Sequence, residues 1–102
     1  MKLSIVGFGA GDPQGMTLAA RDAVMNSELV VGYDTYIELL KDIFPEKEYM
    51  TTGMRRETER VRLALSEAEK RTVALVCSGD PELYGMAGLA LELAGEIGRA
   101  HV

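Results

Sequence analysis

A chain of 102 residues with a net charge of −5 suffices for one small domain, and its negative field disfavours nucleic acid and anionic membranes as partners. The hydrophobic content of 47% and charged content of 26% are ordinary for a globular protein. The single cysteine cannot form an internal disulfide, and charges interrupt every long apolar stretch, so we expect a cytoplasmic protein without a transmembrane segment.

The first half of the chain alternates short apolar runs with helical periodicity. Thr17 is suited to cap the first helix, and Asp34 or Thr35 can cap the second, which Pro45 stops. The run LVVG is apolar throughout, which is typical of a strand buried on both faces. The predicted elements are a strand at 2–6, a helix at 17–26, a strand at 29–32 and a helix at 36–44.

The second half continues the alternation. Its predicted elements are a short strand at 48–51, a helix at 55–70, a strand at 72–77, a helix at 83–97 and the start of another strand in GRAHV. This order predicts an α/β fold with a parallel sheet flanked by helices. Ligands of such sheets bind in the turns after the strands, here GFGAGD, GYDTY and SGDP.

The last predicted helix is apolar on nearly all sides. Such a helix needs neighbours on more than one face, and the preceding elements offer few. We therefore expect that this chain either is a fragment of a longer protein or covers this surface in an oligomer.

The segment GFGAGDP follows the first strand and only partly matches the dinucleotide-binding pattern G-x-G-x-x-G. Gly7 and Gly9 fit, but Asp12 occupies the third glycine position and would place a negative charge where a pyrophosphate binds. A tight turn is therefore favoured over a nucleotide-phosphate site.

Three further segments carry candidate functional residues. In SGDPELYG, Gly79 permits a close ligand approach and Asp80 is either an N-cap or a hydrogen-bond acceptor; without a basic neighbour, a neutral or zwitterionic ligand suits this turn. Asp34 is either a helix cap or a general base facing the crevice. The segment MRRETERVR carries Arg55, Arg56, Arg60 and Arg62, and its default interpretation is a solvated helix face. The alternative is that Arg55 and Arg56 contact substrate carboxylates.

The remaining reactive residue types support no further site. His101 is the only histidine, and one histidine with the distant Cys77 cannot form a metal constellation. Cys77 ends an apolar run and is expected to be a small buried hydrophobe.

Four segments in order resemble the tetrapyrrole (corrin/porphyrin) methylases: GFGAGDPQGMT, VVGYDTYIELL, TGMRRETERVRLAL and VALVCSGDPELYGMAGLALEL. Within that family, the middle two are similar to the branch that methylates C17 of precorrin-3B, with associated ring contraction, in cobalamin biosynthesis. The resemblance implies two α/β domains with S-adenosylmethionine (SAM) bound between them. Residues 1–102 then form the N-terminal domain, the C-terminal domain is absent, and this part alone is expected to be inactive.

The resemblance also implies roles for individual residues, although Ala10 stands where the family usually has proline. It implies a tetrapyrrole substrate, precorrin-3B or its cobalt form, and a homodimer. The implied roles are cofactor binding by Ala10, Gly79, Asp80 and Leu83, substrate binding by Asp12, Arg55 and Arg56, and catalysis by Asp34.

Two alternatives remain open from the sequence. One is another branch of the same family, with a different ring carbon or acceptor. The other is a free-standing α/β module that oligomerises and binds a small ligand without chemistry.

Overall fold

The structure is a computed structural model that describes residues 2–8, 15–94 and 100–101, with the backbone alone for 80–84, 94, 100 and 101. Strands and helices alternate along the chain, as the sequence predicts. The elements are β1 (Lys2–Gly7), α1 (Leu18–Asn26), β2 (Leu29–Tyr33), α2 (Asp34–Ile43), β3 (Glu48–Thr52), α3 (Glu57–Ala68), β4 (Thr72–Cys77), α4 (Asp80–Ala94) and β5 (Ala100–His101).

The five strands form one parallel sheet in the order β3-β2-β4-β1-β5. This confirms the predicted α/β class, and β5 confirms the strand expected in GRAHV. β4 lies between β1 and β2, pairing with β1 from Lys2↔Thr72 to Gly7↔Cys77. Since all pairs are parallel, the carboxyl ends of the strands lie along one edge of the sheet, which we call the carboxyl edge.

Helices cover both faces of the sheet because side chains alternate along each strand. In β4, Val73 and Leu75 pack in the core cluster of α3 and α4, whereas Ala74 and Val76 pack in the cluster of α1 and α2. β2 follows the same rule, so the central strands are apolar on both faces. α1 and α2 thus lie on one face of the sheet and α3 and α4 on the other.

The helix starts agree with the sequence prediction at α1 and differ at α2. Thr17 caps α1, its hydroxyl accepting the Ala20 N–H at 3.1 Å, which confirms the predicted cap. The prediction that Asp34 or Thr35 caps the next helix is wrong: α2 begins at Asp34, and Tyr33 occupies the N-cap without a side-chain cap bond. β2 passes into α2 with no intervening loop, so Asp34 already lies in the first turn, where a carboxylate is favourable.

The bounds of α3 and α4 also differ from the prediction. α3 begins at Glu57 rather than 55, because Arg55 has a left-handed φ of 62° that no α-helix accommodates. α4 begins at Asp80 rather than 83, and Pro81 then lies in its first turn, where its missing N–H costs nothing. The predicted helix end at 97 lies outside the described residues.

The described part of α4 has one covered side and one open side. Met86, Ala87 and Ala90 are buried in the sheet's core, whereas Leu91 is 60% exposed. Within the described ranges, no helix has the length and apolarity needed to cross a bilayer.

Candidate functional site

The carboxyl edge opens between β2 and β3 because the chain leaves these neighbouring strands toward opposite faces of the sheet. α2 follows β2 on the face that it shares with α1, and α3 follows β3 on the other face. Adjacent strands whose connections diverge leave a crevice outside their carboxyl ends, which is where α/β proteins bind ligands.

An open pocket of about 170 Å³ lies in this crevice. One wall comes from the junction of β2 and α2, and the other from the loop 53–56 and the start of α3. The pocket is lined by Tyr33, Tyr36, Met54, Arg55, Glu57 and Arg60. Two guanidinium groups and one carboxylate therefore face a common space in a chain whose net charge is −5.

Arg60 forms the buried side of the pocket, with 3% of its surface exposed. Its Nε–H donates to the Thr52 hydroxyl at 2.7 Å, and Nη2 donates to the Gly53 carbonyl at 3.1 Å. Its Cζ lies 5.7 Å from the centroid of the Tyr33 ring, within cation–π range. Arg60 thus ties α3 to the end of β3 and to the end of β2.

The sequence favours a solvated helix face for Arg60, and its burial shows that this expectation is wrong, although a signal for the burial was available. Helical periodicity makes Val61, Ala64, Leu65 and Ala68 the apolar stripe of this helix. Arg60 is four residues before Ala64, so helical periodicity places it on that buried face. An arginine in register with an apolar stripe was the available signal.

Aromatic rings extend from the pocket toward the end of β1. The ring centroids of Tyr33 and Tyr36 are 5.5 Å apart, with an angle of 81° between the ring planes. Those of Tyr36 and Phe8 are 5.9 Å apart, with an interplanar angle of 86°. These edge-to-face contacts hold the three rings in fixed orientations, so the β2–α2 side of the crevice is rigid and largely apolar.

The structure separates the two arginines that the sequence groups together. Arg55 lines the pocket, and its left-handed backbone is uncommon for a residue with a side chain. Arg56 is at the N-cap of α3, with its side chain 60% exposed and Nε 3.4 Å from a carboxylate oxygen of Glu59. Of the two, only Arg55 lines the described pocket.

The predicted base Asp34 directly follows Tyr33 at the carboxyl edge and is exposed. Its side chain is not among those lining the pocket between β2 and β3. In the first turn of α2 its carboxylate is open to solvent.

The predicted cofactor residues follow the ends of the central strands. β1 and β4 end side by side: the Phe8 N–H donates to the Cys77 carbonyl at 3.1 Å, and the buried Cys77 thiol donates to the Val6 carbonyl at 3.5 Å. Gly79 follows at the same edge and is half-buried, and α4 begins at Asp80. Ala10 and Asp12 lie outside the described residues, as do the side chains of Asp80 and Leu83.

Comparison with known proteins assigns this chain to a family. The profile of a family described as Tetrapyrrole (Corrin/Porphyrin) Methylases matches residues 2–100. A probable cobalt-factor III C(17)-methyltransferase from Salmonella typhimurium is 45% identical over 95 residues, which cover 92% of this chain. The chain spans well under half the length of the curated relatives it matches, 39% of that protein and 18% of others.

Solved structures agree with this assignment. The methyltransferase CobJ matches with a TM-score of 0.78 at 27% identity, covering 99% of this chain and 44% of CobJ. A uroporphyrin-III C-methyl transferase from Thermus thermophilus, complexed with S-adenosyl homocysteine, matches with a TM-score of 0.76 at 25% identity, covering 100% of this chain and 43% of that chain. The fold is therefore that of one half of these methyltransferases.

Proposed function

Because this chain belongs to the tetrapyrrole (corrin/porphyrin) methylase family, we propose that it is part of a SAM-dependent methyltransferase that methylates C17 of precorrin-3B or of a cobalt-containing substrate such as cobalt-factor III. The observation that carries the choice of branch is the 45% identity to a probable cobalt-factor III C(17)-methyltransferase. In this assignment the protein acts in cobalamin biosynthesis, and methylation accompanies contraction of the ring.

The complete protein is proposed to contain a second domain, with the donor bound between the two. The coverage of 39% of the Salmonella relative and 44% of CobJ supports this arrangement. The S-adenosyl homocysteine in the Thermus thermophilus neighbour supports SAM as the donor, since it is what SAM becomes after losing its methyl group. We also propose a cytoplasmic homodimer, which sedimentation of the complete protein would test.

The residues of this chain fit a zwitterionic donor at the β4–α4 turn. Gly79 lacks a side chain that would block approach to the backbone, and residues 78–85 contain no basic side chain that would select a phosphate. When bound, SAM supplies an electrophilic methyl group on a sulfonium. Gly79, Asp80, Leu83 and Ala10 are proposed to hold it, and the main contribution of such residues is to align donor and acceptor carbon for an in-line displacement.

The pocket between β2 and β3 is proposed to hold part of the acceptor, and Asp12 is proposed to help bind the acceptor. Asp34 is proposed as a base because its exposed carboxylate at the carboxyl edge is free to accept a proton. Arg55 and Arg56 are proposed to contact the acceptor's carboxylates.

Incubating the complete protein with SAM and cobalt-factor III tests the proposal. We expect one methyl group to be transferred to C17. Mass spectrometry of the product counts the methyl groups, and NMR identifies the methylated carbon. Methylation at another ring carbon would assign the chain to another branch of the family. A complete protein that binds neither SAM nor the acceptor in calorimetry would favour a binding module without chemistry.

Substituting Arg55→Ala and Arg56→Ala in the complete protein tests the proposed substrate contacts. We expect Arg55→Ala to weaken acceptor affinity by about tenfold, because a charge-assisted hydrogen bond contributes about 1.5 kcal/mol or more. Arg56→Ala should have a smaller effect, since its guanidinium is solvated and paired with Glu59. Unchanged acceptor affinity in both variants would refute the assignment.

A further inference from the structure

The buried guanidinium of Arg60 is held by neutral groups alone within the described residues. Its partners are the Thr52 hydroxyl, the Gly53 carbonyl and the Tyr33 ring. The ion pairs among these residues use Lys41, Arg56 and Arg71 as cations, and none places a carboxylate within 4.0 Å of Arg60.

A charge in this position is costly to the fold. Arginine is rarely buried without a paired anion, because desolvation of the guanidinium is offset only by hydrogen bonds and an opposite charge. Neutral acceptors occupy Nε and one proton of Nη2, which leaves donors of a five-donor group unmatched. Among the described residues, no side-chain nitrogen or oxygen is both fully buried and without a partner, so Nη1, which bonds none of the groups named above, keeps some accessible surface.

The space beside Arg60 is the pocket between β2 and β3. Arg60 lines it together with Arg55, which brings a second cation to the rim, and Tyr33 and Tyr36, which supply an apolar wall. Glu57 is the only acidic residue in the described part of the lining, and it is exposed, so it does not compensate the buried charge. The pocket therefore presents a desolvated cation beside aromatic surface.

We propose that this pocket is a carboxylate subsite and that Arg60 is its anchor. The proposal rests on the proposed function, in which the acceptor is an acidic tetrapyrrole, and it identifies the residue that holds one of the acceptor's carboxylates. The guanidinium fork matches a planar carboxylate bidentately, and a partly buried site strengthens the pair over a solvated one. The tyrosine wall packs against the apolar part of the same ligand.

The experiment measures binding of coproporphyrin III, a tetrapyrrole with four carboxylates, to the complete protein. Arg60→Gln should weaken binding by about tenfold or more, because a charge-assisted pair is lost. Arg60→Lys should recover part of the loss, since it keeps the charge without the fork. The matched control is Arg62→Gln, which removes the same charge from an exposed position of α3 and should change affinity by less than about twofold.

A second measurement covers the case in which Arg60 variants do not fold. In the unsubstituted protein labelled with ¹⁵N, the Arg60 Nε–H resonance should shift on saturation with coproporphyrin III and stay in place with its tetra-amide, which lacks the charges. No binding of coproporphyrin III, a stationary resonance, or unchanged affinity in folded Arg60→Gln would each overturn the proposal.

Calorimetry with SAM on the same samples separates this inference from the proposed function. Carboxylate binding that depends on Arg60 in a protein that neither binds nor uses SAM would support the subsite and defeat the methyltransferase assignment. If Arg60→Gln changes neither methyl transfer nor the affinity for coproporphyrin III, the methyltransferase assignment stands and the carboxylate subsite is refuted.

Discussion

Gly32 lies in β2 where the strand is covered by α2 on one face and neighbours β4. A Cβ added there would come within 2.5 Å of a methyl carbon of Val76 and 3.1 Å of the terminal carbon of Ile37. Val76 is fully buried and β-branched, so it has little freedom to move aside. Gly32 is thus required for close packing of the sheet against α2.

We expect Gly32→Ala to lower the free energy of unfolding by about 1–3 kcal/mol through overpacking. Gly88→Ala is the matched control: nothing lies within 4 Å of its added Cβ, so it should be neutral or stabilise the helix by up to about 1 kcal/mol. Urea unfolding of both variants measures the difference. If the two variants were equally stable, the strand and α2 would move apart to accept the added methyl group without a loss of unfolding free energy.

At the scale of single residues, the sequence predicted burial better than contacts. Cys77 was expected to be a buried hydrophobe, and it is fully buried. The neutral partners of Arg60 were not predictable, because Thr52 and Gly53 are brought to it by the turn from β3 into α3. Helical periodicity identifies the buried face of a helix but not the residues that contact that face.

At the scale of elements, β3 supplies the cap for the end of α2. The Tyr49 hydroxyl donates to the Phe44 carbonyl at 2.7 Å and lies 3.3 Å from the Leu40 carbonyl. These two carbonyls also accept the Lys47 and Phe44 backbone N–H groups, so the hydroxyl adds a side-chain hydrogen bond to the helix end. Burial raises the pKa of Tyr49 from its usual 10.0 to about 12. The capping hydroxyl therefore keeps its proton in the folded protein at a pH where the unfolded chain has lost it.

The stability contributed by this hydroxyl should fall as the pH rises from about 10 to about 12, because the unfolded state binds fewer protons than the folded state in that range. Tyr49→Phe should remove that dependence and cost about 0.5–1.5 kcal/mol at neutral pH. Urea unfolding against pH and tyrosinate absorbance measure the two effects. Normal titration of all four tyrosines in the folded protein would contradict the cap.

Element existence and type were predictable, whereas helix starts were less so. Alternating apolar patterns identified the strands, and the order of strands and helices identified the parallel sheet. The predicted start of α3 was wrong because the left-handed backbone of Arg55 keeps residue 55 out of the helix. Arginine carries no local sequence signal for that conformation. The α2 start was wrong because a strand leads directly into it.

At the scale of the whole molecule, the strand order was not predictable from local patterns. It depends on which face of the sheet each helix covers, and α1 to α4 all carry apolar residues that suit either face. The site depends on the same choice, because the pocket described above lies where α2 and α3 diverge. Sequence resemblance identified the family, but the pocket's walls required the assembled sheet.

We expect residues 1–102 by themselves to transfer no methyl group from SAM, because the donor is proposed to bind between two domains and this chain spans 44% of CobJ. A radiolabelled-methyl assay of the purified chain, beside the complete protein under identical conditions, measures this. Turnover by the 102-residue chain alone would refute the two-domain cleft.

The central position of β4 also sets the order in which the chain can fold. β2 and β3 pair across a short connection, but β1 has to wait for a partner 70 residues later, since Lys2 aligns with Thr72. Closing so long a loop is slow, and pairing of distant strands is a feature of slow-folding proteins. During synthesis, β1 therefore remains an unpaired apolar strand until β4 leaves the ribosome and joins the two halves of the sheet.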